Sequence, residues 1–124
     1  MRQQRVRFEE RGGVRLLVVD YSEMQRPDEI LAFMAHVQGI IEAQPLRSIR
    51  YVANVTNLHF NFAVVQAFKE YGARCRPYFV ASAVVGLGGL QLAIHRTMTR
   101  LMGQDIRAFA SESEALDWLA ALPA

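Results

Sequence analysis

Residues 79–103, FVASAVVGLGGLQLAIHRTMTRLMG, decide the fold. Phe79 to Val85 is almost unbroken apolar sequence, as expected of a short strand buried on both faces. Pro77, just ahead of it, ends whatever helix precedes. Gly86, Gly88 and Gly89 then punctuate the chain as a turn. Beyond them Leu90, Ile94, Met98 and Leu101 recur at spacings of three and four, which predicts one face of a helix. Arg96 and Arg100 lie together on another face, and Gly103 suits the position just past the helix end. A glycine-rich turn from strand to helix can offer backbone N–H groups to an anion, so these three glycines are candidate binding residues. Their spacing matches neither G-x-G-x-x-G nor the P-loop, and no lysine follows. A tight turn with close helix–sheet packing is the more ordinary account of them.

Working outward toward the C-terminus, Ile106 to Phe109 reads as a short last strand. Ser111 and Glu114 form an S-x-x-E capping box, and Ala115, Leu116, Leu119 and Leu122 make the inner stripe of a final helix with Trp118 at its edge. Toward the N-terminus, Phe62 to Tyr71 predicts a helix with Val64, Val65 and Phe68 inward and Gly72 as its stop. Ile49 to Val55 is an alternating, β-branched strand. Pro27, Asp28 and Glu29 open a helix whose apolar positions run from Ile30 to Ile41, with Pro45 just beyond it. Val6 and Phe8 begin a strand, Gly12-Gly13 turns it, and Val14 to Asp20 returns as a more apolar inner strand. Tyr21 to Arg26 is a loop.

The predicted order is β-β-α-β-α-β-α-β-α: a single α/β domain with a mostly parallel five-stranded sheet, an antiparallel first edge strand and four helices. A length of 124 residues fits one domain, and 52% apolar residues can build a core. The net charge of +2 and a pI near 9.0 are too mild to imply nucleic acid. The N-terminal arginines Arg2, Arg5, Arg7, Arg11 and Arg15 mix with Glu9 and Glu10; the hairpin should spread them over both faces as a solvated, charged edge. The single cysteine, Cys75, has no internal partner and suits a reducing cytoplasm; Arg74 and Arg76 beside it can lower a thiol pKa, yet no nucleophile signature surrounds it. MRQQRVRFEERGG lacks the apolar core of a signal peptide. The apolar stretch 79–94 is broken by glycines, so no membrane span is expected.

The densest polar cluster at a strand end is Thr56-Asn57-Leu58-His59-Phe60-Asn61. In an open α/β sheet ligands bind outside the carboxyl ends of the strands. Thr56, Asn57, His59 and Asn61 are therefore expected to share an edge with Gly86, Gly88 and Gly89 and to line a ligand or partner loop. The same residue types are ordinary turn and helix-cap residues. Asp20 and His59 are the only strand-end pair worth checking for acid–base chemistry. His36 sits on a helix without ligand spacing, and no His/Cys/Asp pattern implies a metal or a cofactor.

Three segments carry a family likeness: Ala83-Val84-Val85-Gly86-Leu87-Gly88-Gly89-Leu90-Gln91, Met102-Gly103-Gln104-Asp105-Ile106-Arg107-Ala108-Phe109, and Ser113-Glu114-Ala115-Leu116-Asp117-Trp118-Leu119. They resemble blocks of the SpoIIAA-like/STAS superfamily, in particular bacterial STAS/SEC14-domain (SpoIIAA-like) proteins. The likeness spans most of the chain in topology and the last third in sequence, and the blocks are structural. For anti-sigma-factor antagonists of this superfamily it implies a phosphorylated serine in a D-S-S-G-type turn after the third core strand. That place holds Asn54-Val55-Thr56-Asn57-Leu58, which leaves Thr56 as the one nearby hydroxyl and candidate phosphoacceptor. The expectation is thus a non-catalytic cytoplasmic regulatory or protein-interaction module, without the phosphoserine switch, that binds a protein partner or itself. The alternative is a domain that takes a small apolar, lipid or anionic ligand in a pocket at the strand ends.

Overall fold

The structure is a computed structural model that describes residues 4–89, 92, 93, 96 and 106–123. Its strands are β1 (Val6–Arg11), β2 (Val14–Asp20), β3 (Ile49–Asn54), β4 (Phe79–Val85) and β5 (Ile106–Phe109). Its helices are α1 (Pro27–Glu42), α2 (Phe62–Cys75) and α3 (Glu112–Ala121), with a 3-10 turn at Arg76–Tyr78. The sheet order is β1-β2-β3-β4-β5. β1 pairs antiparallel with β2, and every other neighbouring pair is parallel. This is the architecture expected from the sequence. The helix expected across 90–102 lies mostly outside the described residues; Gly89, Leu92, Ala93 and Arg96 are helical, and the Leu92 N–H donates to the Gly88 carbonyl.

Side-chain alternation along the strands divides the core in two. Leu17, Val19 and Tyr21 face α1 and α2, where they meet Ile30, Met34, Val37, Ile41, Val64, Tyr71 and Cys75. Leu16 and Val18 face the other way, with Val52, Ala83 and Val85, onto Ala115, Leu116 and Leu119 of α3. β2 is therefore covered on both faces, whereas β1 is half-open to water. Asn61 caps α2 by accepting from the Val64 N–H at 2.8 Å, and Ser111 caps α3 by accepting from the Glu114 N–H at 3.2 Å.

Two expectations need correction. Gly72 does not stop α2, which runs on to Cys75. The buried residues Val64, Tyr71 and Cys75 with half-buried Phe68 keep one stripe going, and burial outweighs the modest helix cost of a glycine. Pro77 supplies the true end. The N-terminal arginines do fall on both faces, with Arg15 over Phe8 on one, but the other face is not a solvated edge. Arg7, Glu9 and Arg11 share one face of β1, and α3 covers it: Arg7 reaches Glu112 at 2.8 Å and Arg11 reaches Asp117 at 2.7 Å. Glu9 lies within 3.2 Å of Arg7 and 3.5 Å of Arg11.

Candidate functional site

The carboxyl ends of β2, β3 and β4 come together through their loops. The Tyr21 N–H donates to the Asn54 carbonyl at 2.8 Å, and the Val55 N–H donates to the Val85 carbonyl at 2.8 Å. The Glu23 N–H donates to the Thr56 carbonyl and the His59 N–H to the Met24 carbonyl, each at 2.9 Å. Loop 21–26 is thereby stitched to loop 55–61.

Thr56 and Gly86 are brought into direct contact. Gly86 takes φ +90, and a Cβ there would lie 2.9 Å from both the Thr56 Cα and N and would strike its hydroxyl. Only glycine allows this approach. The Thr56 hydroxyl donates to Asn54 Oδ1 at 2.7 Å, and the Thr56 N–H reaches the same oxygen at 3.1 Å. The other candidates do not converge on that point. The Asn57 side chain donates to Glu23 Oε2 at 2.9 Å, and its carbonyl accepts from Gln25 Nε2 at 2.6 Å. Asn57 and Glu23 both sit at positive φ, so this loop pair is held in a tight, strained geometry. Asn61 is used as the α2 cap, His59 is exposed, and Gly88 and Gly89 are exposed beyond Gly86. Asp20 accepts from the Ser22 N–H at 2.8 Å and faces Arg5 at 3.9 Å; no hydrogen bond joins it to His59.

A depression of about 190 Å³ lies at the opposite end of the strands. Phe8, Arg15, Leu17, Pro45, Ser48 and Ile49 are among its walls. Its volume is below the roughly 300–1,000 Å³ of pockets that enclose a drug-sized ligand. Among the described residues no cluster of three His, Cys, Asp or Glu side chains has metal-site geometry, and no helix is long and apolar enough to cross a membrane.

The core carries a polar group that the sequence reading missed. Tyr21, assigned to a loop, is fully buried, because it continues the inward alternation of Leu17 and Val19. Its ring packs edge-on against Phe33 and Phe68, with 5.0 Å between centroids in each case. The Tyr51 and Tyr71 hydroxyls bond each other at 2.8 Å, whereas the Tyr21 hydroxyl, next to that of Tyr71, makes no well-formed hydrogen bond. Burial pushes all three phenols up in pKa, and it pushes the Cys75 thiol up to about 12, with Glu42 adding to the shift and Arg74 opposing it. Cys75 is a buried free thiol rather than an activated one.

No family model matches the chain, and no curated protein is significantly similar to it. Among solved structures it is similar to an uncharacterized protein of the DUF3478 family from Shewanella loihica PV-4, which has a SpoIIAA-like fold. The TM-score is 0.71 at 16% sequence identity, over 92% of this chain and 91% of that one. The chain has the SpoIIAA-like fold. In this SpoIIAA-like sheet, the turn after β3 holds Thr56 with its hydroxyl turned onto Asn54 and the Gly86 backbone laid against it.

Proposed function

We propose that the chain is a non-catalytic cytoplasmic protein-interaction module of the SpoIIAA-like/STAS type that works without a phosphoserine switch. The observation that carries this reading is Phe62. It is 80% exposed at the first position of α2, directly after the polar loop 56–61. An aromatic ring left in water beside a loop pinned by its own hydrogen bonds is a preorganised anchor, and such anchors dominate interface energies. His59 and Asn57 lie beside it in sequence and are exposed. The loop's polar groups are consumed by structure, which supports docking over chemistry: Asn61, Asn57 and Thr56 each hold a neighbour within the chain.

The test places a photo-crosslinking residue at His59 and, as a control, at exposed His36 on α1. The reading expects one partner captured from His59 and not from His36. That partner, once purified, should bind the unmodified chain and lose at least tenfold in affinity to Phe62→Asp. Capture equal at both positions, or binding indifferent to Phe62→Asp, overturns it. A dose-dependent rise in melting temperature with a small apolar or anionic compound, abolished by His59→Ala, favours the ligand-binding alternative.

A further inference from the structure

β1 is an edge strand, and among the described residues no strand pairs with its outer side. The direction of its free backbone groups can be read from the pairing. The Asp20 N–H donates to the Arg5 carbonyl at 2.7 Å, so Arg5 and Asp20 are a hydrogen-bonded pair. The register Val6↔Val19 through Arg11↔Val14 then gives the β2-facing bonds to Arg7, Glu9 and Arg11. The N–H and C=O groups of Val6, Phe8 and Glu10 point outward. Phe8 is also 39% exposed, with the Arg15 guanidinium 3.9 Å above its ring.

We infer that the outer edge of β1 pairs antiparallel with β1 of a second copy, about a two-fold axis at Phe8. The sequence of the strand selects this partner and this register. With Phe8 opposite Phe8, the outward groups of Val6 and Glu10 meet those of the second copy's Glu10 and Val6. The intervening pair is Arg7 opposite the second copy's Glu9, and its mirror, at the close spacing of about 4.5 Å between Cα atoms. Every residue that needs an outward bond finds one, and opposite charges face each other. A register shifted two residues in one direction sets Arg7 against Arg7; the other direction sets Glu9 against Glu9. Like charges directly opposite disfavour both. The chosen register also brings Arg5 near the second copy's Arg11 at its ends. There Arg5 already donates to the Asp20 and Ser22 carbonyls and Arg11 already holds Asp117. The two five-stranded sheets become one, and the two Phe8 rings cover each other on the α1/α2 face. This association uses an edge separate from loop 56–62 and goes beyond the proposed docking role.

Sedimentation velocity over a range of concentrations should show a reversible dimer. Phe8→Pro removes an outward N–H while leaving the bonds to β2, which odd-numbered residues make, and should yield a folded monomer. Arg7→Glu and Glu9→Arg alone should each weaken the dimer at least tenfold, and the double exchange should restore it. Circular dichroism shows whether each variant remains folded. Register is read separately by cysteine pairing, since native Cys75 is buried. Phe8→Cys should oxidise to a covalent dimer, because hydrogen-bonded pairs sit about 5.5 Å apart at Cα, within disulfide range. Val6→Cys and Glu10→Cys should cross-link when mixed and not when alone. A chain that stays monomeric at all concentrations, or a dimer unmoved by Phe8→Pro, overturns the inference. A monomer that still binds its partner through Phe62 sinks this inference and leaves the docking role standing.

Discussion

At the scale of single residues, Gly86 and Thr56 show how close two strand ends can come. Gly86→Ala adds a methyl group into the Thr56 backbone at a positive φ, so a loss of about 2–4 kcal/mol is expected in urea unfolding. Thr56→Ala in the same chain should return only part of it, since the hydroxyl clash goes and the backbone one stays. The buried phenols give a sharper contrast. Tyr21→Phe removes a hydroxyl that makes no well-formed hydrogen bond and should be close to neutral. Tyr51→Phe strands the Tyr71 hydroxyl and should cost about 1–2 kcal/mol. Equal effects of the two substitutions in chemical denaturation would contradict this assignment of partners.

At the scale of elements, helix ends are fixed by side chains far away in sequence. Arg50 on β3 lies under the C-terminal end of α3 and donates to the Leu119 carbonyl at 2.6 Å and the Leu122 carbonyl at 2.9 Å. It supplies partners to carbonyls that a helix leaves free, at the negative end of its dipole. Arg50→Met should lower stability by about 1–3 kcal/mol. Faster amide exchange should concentrate in α3, and Arg50→Lys should recover part of the loss. Such links mark the limit of what the chain discloses as text. Strands and helix starts were legible, because alternation, Pro27 and the Ser111–Glu114 box are local signals. The end of α2 was not, since Tyr71 and Cys75 override Gly72 only when a core exists to receive them. The grip of Arg7 on Glu112, 105 residues away, leaves no local trace at all. The candidate site was legible in part. Thr56 and Gly86 do meet, but Asn57 and Asn61 turn to neighbours that no spacing rule names.

At the scale of the whole molecule, the buried acids set a response to alkali. Tyr21, Tyr51, Tyr71 and Cys75 hold their protons in the folded state more tightly than in the unfolded chain, where phenols titrate near 10.0 and thiols near 9.0. Below about pH 8 both states are protonated at these groups, and they leave stability independent of pH. Above it the unfolded chain sheds protons that the folded one keeps. Stability therefore falls as pH rises, by up to about 1.4 kcal/mol per pH unit for each group. Urea midpoints should decline from about pH 8 upward, and in a Tyr78→Phe chain, which removes the half-buried fourth tyrosine, tyrosinate absorbance should appear together with unfolding rather than before it. Cys75→Ala should remove the earliest part of that decline. A tyrosinate signal in the Tyr78→Phe chain while still folded would refute the shared burial.

The position of α3 also bears on how the chain is made. Leu16, Val18 and Val52 are synthesised early, yet the residues that cover them, Ala115, Leu116 and Leu119, leave the ribosome only after about sixty further residues beyond Val52 have been added. The α1/α2 half of the core can assemble while translation continues; the other half waits with an apolar sheet face uncovered. During that interval the uncovered face is exposed to water and to other chains. A pause in decoding between β4 and α3 would lengthen its exposure without altering one residue of the finished protein.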